Sequence, residues 1–237
     1  MNYTFKPEKA AEGKTGGLEI DFRKFFNIKD KSYPTMPIGF IAERGKDAFV
    51  IFRGTKTVKE WISNMGISLK EYPLPQYGNA HEGFLQLYNS TRSTIAEKLP
   101  ALAKKDRVLV AGHSLGAALA TLALPDIETN MKVKAAALYT YGSPRVGDDA
   151  FVKAFNRDYG HKSYRVTNTS DIVTAVPFPL PIGGFVGGYF SHVDTPIDFT
   201  TQNNDLEKNH AMETYISALR QAHLRRGFFQ RLFARKA

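Results

Sequence analysis

The sequence predicts an α/β fold in which helices flank a mostly parallel central sheet that begins with an N-terminal hairpin. Apolar runs typical of buried strands alternate with stretches of helical spacing, a pattern that requires crossover connections between parallel strands. Two extended segments meet at a tight turn over residues 45–47. The chain has 237 residues, 43% hydrophobic and 23% charged, which is enough for one large domain with a buried core.

The first predicted elements lie in the N-terminal half of the chain. Residues 38–54 form two β-branched and aromatic strands around the turn at 45–47, so they add an antiparallel part near one edge of the sheet. Residues 82–103 carry apolar side chains at helical spacing. Pro100 is expected to bend or end that helix, because proline cannot donate a backbone hydrogen bond.

Strands and helices alternate over the second half. A strand over 107–111 leads into a helix over about 114–124, which Pro125 is expected to stop. A buried strand, a helix, a strand and a final helix follow over residues 133–141, 148–159, 162–168 and 210–224. We expect a single domain over 1–222 and a basic aromatic tail over 223–237.

Composition excludes several classes of function. The absence of cysteine excludes disulfides, thiolate nucleophiles and Cys-based zinc sites. The N-terminus lacks the apolar core of a signal peptide, and the apolar stretch over 176–190 is too short and too rich in Pro and Gly to span a bilayer. We therefore expect a soluble protein that is cytoplasmic, or exported without a signal, and able to associate peripherally with membranes.

Charge gives a weaker constraint on partners. The net charge of +9 favours anionic partners, but no nucleic-acid-binding motif accompanies it, so nucleic acid is disfavoured. No calcium loop or other metal constellation occurs in the sequence, and we expect catalysis without a cofactor. The oligomeric state has no signal in the sequence.

A candidate nucleophile lies where the strand over 107–111 ends and a helix begins. Residues 112–116 read Gly-His-Ser-Leu-Gly and fit the G-x-S-x-G pattern, which arises by chance about one time in ten in a chain of this length. The sharp turn between strand and helix exposes the oxygen of Ser114 near a helix N-terminus, where developing negative charge is stabilised. A side chain at either flanking glycine would clash with the closely packed backbone. The alternative is a serine that only caps the helix.

A serine nucleophile needs a base and an orienting acid, which follow it along the chain in folds of this kind. Asp171 comes directly after a strand and a polar turn, whereas its rivals Asp194 and Asp198 fall in a later extended segment. His210 follows a polar loop and opens the last helix, so it is the preferred base. The other histidines are less suited: His192 flanks an apolar stretch, His223 lies in the tail and His161 precedes the acid.

Eight motifs in a fixed order resemble the class 3 (fungal-type) lipases of the α/β-hydrolase group. The motifs span residues from about 38 to 220, and their ordered combination is very specific although each one alone is weak. They read FRGT (52–55), TVKEWISNM (57–65), HEGF (81–84), GHSLGAA (112–118), YGSPRVG (141–147), TNTSDIVTAVP (167–177), YFSHVD (189–194) and NHAMETYI (209–216).

The resemblance implies an α/β-hydrolase-type fold and the same triad of Ser114, Asp171 and His210. It also implies an oxyanion hole formed by the backbone N–H groups of Thr55 and Leu115. A lid over residues 56–65 is implied as well. Its apolar face would contain residues at i, i+3, i+4 and i+7, namely Val58, Trp61, Ile62 and Met65.

The function expected from these residues is hydrolysis of a carboxylic ester in an acyl lipid, in the manner of a triacylglycerol lipase. Phospholipase A1 activity, acyl transfer and thioester hydrolysis on the same scaffold remain open, as does a non-catalytic lipid-binding module. The tail over 223–237 carries four Arg, one Lys and no acid, with phenylalanines between them. It either packs on the domain or binds an anionic lipid surface.

Overall fold

A computed structural model of the chain describes residues 21–27, 37–54, 62–63, 65–102, 104, 106–177 and 190–224. Within these ranges the strands are β1 (Asp21–Asn27), β2 (Pro37–Arg44), β3 (Asp47–Phe52), β4 (Leu69–Glu71), β5 (Asn79–His81), β6 (Arg107–His113), β7 (Ala137–Tyr141), β8 (Ser163–Asn168) and β9 (Pro196–Phe199). The helices are α1 (Glu82–Lys98), α2 (Leu115–Thr129), α3 (Asp149–Tyr159), α4 (Leu206–His210) and α5 (Met212–Leu224). Short 3-10 turns cover Leu99–Leu102, Gly160–Lys162 and Ile172–Ala175.

The central sheet has the strand order β1-β2-β3-β6-β7-β8-β9. Its first two pairings are antiparallel and the remaining four are parallel. The predicted α/β class, with a mostly parallel sheet and an antiparallel hairpin near one edge, is therefore confirmed. The hairpin of β2 and β3 does not itself form the edge, because β1 pairs outside it. Strand β1 was not predicted from the sequence.

The order of the parallel strands determines which face of the sheet each helix covers. From β3 to β8 each parallel strand lies on the same side of the one before it, so right-handed crossovers place α1, α2 and α3 on one face. There the ring of Tyr88 on α1 lies 6.4 Å from that of Phe52 on β3. Helix α5 lies on the opposite face, where Tyr215 contacts His113 and Phe199.

The prediction that Pro125 stops the helix after the serine is wrong, because α2 continues to Thr129 with the proline inside it. The hydroxyl of Tyr72 donates to the carbonyl of Leu122, one turn before the proline, at 2.7 Å. Just after the proline, the carboxylate of Asp126 accepts hydrogen bonds from a tyrosine and an arginine of α1. These contacts offset the backbone hydrogen bond that proline cannot donate.

Three other predicted boundaries need correction. The strand predicted over 133–141 begins only at Ala137, although Val133 and Ala135 before it are buried. The helix predicted over 82–103 ends at Lys98, and Pro100 lies in the 3-10 turn that follows, as the prediction for that residue required. His210 ends the short helix α4 instead of opening the last helix, which begins at Met212.

Candidate active site

The turn between β6 and α2 holds Ser114 in a strained conformation, with φ 60° and ψ −131°. The two glycines of the motif are required there for steric reasons. A Cβ at Gly112 would overlap the carbonyl oxygen of Gly116, and a Cβ at Gly116 would overlap that of Phe52 on the neighbouring strand. The serine side chain makes no capping hydrogen bond to α2. The alternative role as a helix cap therefore does not apply.

His210 and Asp171 form a buried pair beside this turn. The Nδ1 atom of His210 lies 2.7 Å from Oδ2 of Asp171, and the two residues are both 2% exposed. Because a carboxylate only accepts hydrogen bonds, the imidazole proton lies on Nδ1 and leaves Nε2 as an acceptor. The rival carboxylates lie elsewhere: Asp198 is within β9 and Asp194 precedes that strand.

Two buried side-chain polar atoms of the described residues have no hydrogen-bond partner, and they are Oγ of Ser114 and Nε2 of His210. The expectation that the turn exposes the oxygen of Ser114 is wrong, because Ser114 is only 1% exposed. Buried polar atoms are normally hydrogen-bonded, because leaving one unpaired costs about 1–3 kcal/mol. An unpaired acceptor and an unpaired hydroxyl are the two groups that a serine nucleophile and its base require.

Two further glycines allow the backbone to pack closely against the candidate site residues. Gly142, at the end of β7, has φ 55°, and a Cβ there would lie 2.9 Å from Oδ2 of Asp171. At Gly54, just after β3, a Cβ would lie 2.8 Å from Cβ of Ser114. The chain therefore brings the residue before Thr55 directly against the nucleophile. Thr55 itself lies outside the described residues.

Leu115 is the first residue of α2 and directly follows Ser114. The first N–H groups of a helix have no acceptor within the helix and point out of its N-terminus. Of the predicted lid residues, Val58 and Trp61 lie outside the described residues. Ile62 is half-buried in a short helical stretch, and Met65 is half-buried and packs against the hydrophobic core.

His113 also lies in the candidate site, although the sequence indicated it only as a member of the G-x-S-x-G motif over 112–116. Its ring stacks on that of His210 with centroids 4.6 Å apart, and its Nε2 lies 2.8 Å from the backbone oxygen of His210. Nε2 donates this hydrogen bond, because the carbonyl can only accept. Burial and, to a lesser extent, the neighbouring His210 lower the pKa of His113 to about 4. The ring is therefore neutral, and it holds the candidate base through the stacking and the hydrogen bond to the backbone oxygen of His210.

Tyr215 and Asn168 lie around the candidate acid and the candidate base, and neither was predicted from the sequence to belong to the site. Tyr215 donates to Oδ2 of Asp171 at 2.6 Å. The amide of Asn168 donates to the backbone oxygen of Asn209, the residue before the candidate base, at 2.9 Å. Both lie in motifs that resemble the family, over 167–177 and 209–216, but their contacts could not be predicted because each acts across about 40 positions of the chain.

The remaining histidines that the sequence analysis considered have other positions. Nε2 of His192 lies 2.6 Å from the backbone oxygen of Thr174, so it supports the loop that follows Asp171. His161 is exposed in a 3-10 turn. Among the described residues, no group of three His, Asp or Glu side chains is arranged to hold a metal ion. None of the described helices is both long and apolar enough to cross a membrane.

A mostly parallel sheet, a serine on the strained turn from strand to helix and a buried acid–histidine pair place this chain among the α/β hydrolases. The model of the family described as Lipase (class 3) matches residues 49–180, more than half of the chain. The chain belongs to the class 3 lipase family.

Individual relatives agree with this family. The chain is 32% identical over 260 residues to the chloroplastic/mitochondrial phospholipase A1 EG1 of Oryza sativa subsp. indica, covering 87% of this chain and 59% of that one. It is 34% identical over 152 residues to the chloroplastic phospholipase A(1) DAD1 of Arabidopsis thaliana, covering 56% and 34% of the two chains. The match therefore spans between about a third and three fifths of these relatives.

The fold is also similar to solved lipase structures. The native lipase–propeptide complex of Rhizomucor miehei superposes with a TM-score of 0.62 at 26% identity, covering 80% of this chain and 58% of that one. The similarity supports the same α/β-hydrolase architecture around the site.

Proposed function

We propose that this chain is a serine carboxylic-ester hydrolase of acyl lipids, with Ser114 as nucleophile, His210 as base and Asp171 as orienting acid. The observation that carries the proposal is the pair of unpartnered buried atoms, Ser114 Oγ and His210 Nε2, beside the 2.7 Å bond from His210 to Asp171. The candidate acceptor and the candidate nucleophile both lack competing partners, as the chemistry requires.

The proposed reaction is a double displacement. Oγ of Ser114 attacks the ester carbonyl while Nε2 of His210 takes its proton, and the carbonyl electron pair moves onto oxygen. The tetrahedral intermediate collapses, the C–O bond to the alcohol breaks, and His210 returns the proton to the departing alcohol. Water then attacks the acyl-enzyme by the same route and releases the fatty acid.

The oxyanion of the intermediate needs donors close to the nucleophile. We assign this role to the backbone N–H groups of Thr55 and Leu115. Support comes from the position of Leu115 at the start of α2 and from the close contact of Gly54, the neighbour of Thr55, with Ser114. The same proposal includes a lid over residues 56–65. Ser114 is only 1% exposed, so a covering segment must move before a lipid can reach its hydroxyl.

Substitution of Ser114 by Ala tests the assignment. Hydrolysis of a soluble 4-nitrophenyl ester should fall by several orders of magnitude, and labelling by a fluorophosphonate should disappear, because the nucleophile is gone. Ser163→Ala is the matched control. That serine is equally buried, but its Oγ donates to the backbone oxygen of Tyr159 and has no role in the reaction. Unchanged hydrolysis by Ser114→Ala would remove the proposed function.

The substrate is proposed to be an acylglycerol, with phospholipid as the second candidate. The second candidate is favoured by the relative named a phospholipase A1 that aligns with 87% of this chain. The rates of fatty-acid release from triacylglycerol and from phosphatidylcholine distinguish the two candidates. Formation of a new ester when an alcohol is added would show acyl transfer. Measuring the rate below and above the solubility limit of the ester also tests the lid, since a lid predicts a rise when aggregates form.

We further propose that residues 1–222 form the catalytic domain and that the tail over 223–237 binds an anionic lipid surface. The tail lies mostly outside the described residues, and its five basic side chains and interleaved phenylalanines support the proposal. Each basic residue near an anionic surface contributes about 1 kcal/mol. Deleting 225–237 should therefore weaken binding to phosphatidylserine vesicles while turnover of the soluble ester persists.

Two controls define the outcome of the tail experiment. Replacing the four arginines of the segment by serine should weaken vesicle binding and leave the fold intact, because the positive charges are lost while the phenylalanines that could pack on the domain are kept. Unchanged vesicle binding by the truncated chain would contradict the role in membrane binding. Unfolding of the truncated chain, together with normal binding by the serine variant, would show that the tail packs on the domain instead.

A further inference from the structure

We propose that Tyr215 is a positioning residue of the active site, whose hydroxyl fixes the carboxylate of Asp171 towards His210 and tunes the proton affinity of that histidine. The inference rests on the proposed function, because it assigns a task to Tyr215 within the same reaction. It starts from the hydroxyl of Tyr215, which lies 2.6 Å from Oδ2 of Asp171.

The carboxylate of Asp171 receives three hydrogen bonds in a dry environment. Oδ1 accepts the backbone N–H of Val173 at 2.9 Å. Oδ2 accepts both Nδ1–H of His210 at 2.7 Å and the hydroxyl of Tyr215 at 2.6 Å. Asp171 is 2% exposed and Tyr215 is 0% exposed, so water does not substitute for either donor. Each oxygen is thereby assigned its own partners, and the carboxylate cannot rotate without breaking one of these bonds.

The direction of the hydroxyl proton is determined by a second contact. The backbone N–H of Asn168 donates to the hydroxyl oxygen of Tyr215 at 3.2 Å, so the single hydroxyl proton is available for Asp171. Burial, followed by the nearby charge of Asp171, raises the pKa of Tyr215 far above its usual range. Tyr215 is therefore a neutral donor throughout the working pH range of an enzyme.

The ring of Tyr215 is held on three sides, which fixes its hydroxyl. It meets Phe199, His113 and Tyr141 edge-on, with centroid distances of 5.1, 5.9 and 6.4 Å. The two titratable groups among these neighbours stay neutral: burial lowers the pKa of His113 to about 4 and raises that of Tyr141 to about 12. The charged group that Tyr215 senses near neutral pH is thus the carboxylate of Asp171.

Loss of this hydroxyl has two consequences for the reaction. Oδ2 of Asp171 keeps one donor in place of two, so the carboxylate gains freedom to turn and His210 loses its alignment with Ser114. The negative charge of the carboxylate is also stabilised by one hydrogen bond fewer, so it attracts the imidazolium form of His210 more strongly. The first effect lowers kcat, and the second moves the acidic limb of the kcat/KM profile to higher pH.

The test is Tyr215→Phe, assayed with a soluble short-chain 4-nitrophenyl ester so that neither lid nor membrane affects the result. Removing a hydrogen bond to a charged group, or a residue that orients a functional side chain, typically changes activity tenfold to hundredfold. We therefore expect kcat to fall by roughly that factor. KM should change little, and the acidic limb should move upward. A purely structural role would lower stability without moving the limb.

Tyr88→Phe is the matched control. Tyr88 is 2% exposed and donates to Oδ2 of Asp126 at 2.6 Å, so the variant removes the same kind of bond at a position between α1 and α2. It should lower the melting temperature but leave kcat and the acidic limb unchanged. A second variant retains the hydroxyl: 3-fluorotyrosine at position 215 is a stronger donor, and it should shift the limb to lower pH.

A double-mutant cycle with Asp171→Asn completes the experiment. Once the carboxylate is gone, Tyr215→Phe should have little further effect, because the two residues act as one unit. Fully additive losses, or a Tyr215→Phe variant with wild-type kcat and limb, would overturn the inference and leave the proposed function intact. Normal turnover by Ser114→Ala would overturn the proposed function itself, so the two failures are distinguishable.

Discussion

Gly142 shows how closely single residues are fitted around the candidate base. It has φ 55°, a region that side chains rarely adopt, and it lies directly against the acid–histidine pair. A Cβ there would lie 2.9 Å from Oδ2 of Asp171 and 3.0 Å from Cε1 of His210. Contacts this short require one group to move, so a methyl group at this position would displace the pair.

We expect Gly142→Ala to lower kcat at least tenfold, because misplacement of a catalytic group by a fraction of an ångström is costly. Gly45 offers a matched control, since it has the same φ of 55° but nothing within 4 Å of an added Cβ. Gly45→Ala should therefore have a similar backbone strain of about 1 kcal/mol with wild-type activity. Kinetics and thermal unfolding of both variants measure the difference, and equal kcat values would contradict the steric argument.

The sequence predicted the candidate nucleophile, acid and base, but not the residues that support them. Ser114 was predictable because its constraints are local: two glycines, a strand before it and a helix after it. The stacking of His113 on His210 joins residues 97 positions apart and depends on the path of the whole chain. Tyr215 reads as an ordinary core residue of an amphipathic helix until the fold brings its hydroxyl to Asp171.

At the scale of elements, the predictable parts of the fold were those whose signals lie within the element. The hairpin of β2 and β3 and the strands β6 and β8 have apolar and β-branched patterns of their own. Helix α3 begins at the cap Asp148, whose side chain accepts from the N–H of Phe151. The elements predicted least well depend on tertiary contacts, such as those that carry α2 through Pro125.

Helix α4 illustrates why short elements escape prediction. It has five residues, a polar sequence and no apolar period. Its stability comes from the cap Asp205, which accepts from the N–H of Lys208 at 2.8 Å, and from contacts of Asn209 with the loop around Ser170. The element nevertheless sets the position of His210, its last residue, so an unpredicted turn of helix presents the candidate base.

At the scale of the whole molecule, one buried and two half-buried histidines make stability depend on pH. Burial is the largest cause that lowers their pKa values: to about 4 for His113, to about 3 for His192, and below the usual range for His81. In the unfolded chain these side chains titrate near 6.5. Between the two values the unfolded state binds more protons, so stability is complete above about pH 6.5 and is lost as pH falls.

His192→Gln isolates one of these contributions. Glutamine keeps a donor for the backbone oxygen of Thr174, which Nε2 of His192 approaches at 2.6 Å, but it does not titrate. Each pH unit between the folded and unfolded pKa values changes the free energy of unfolding by at most about 1.4 kcal/mol. When the pH falls from about 6.5 to 4.5, the free energy of unfolding of the variant should therefore decrease by up to about 3 kcal/mol less than that of the wild type.

Urea unfolding at the two pH values measures this difference. The control is His161→Gln, the same substitution at an exposed histidine. Carboxylates also make the fold less stable in acid. Burial alone would raise the pKa of Asp126, but its hydrogen bonds, above all with Arg92, lower it, so protonation of this group destabilises the fold. This contribution is the same in all three proteins. If the loss on acidification is the same in His192→Gln as in the wild type, protonation of His192 does not drive it, and the acid sensitivity of the fold comes from the other two histidines and the carboxylates.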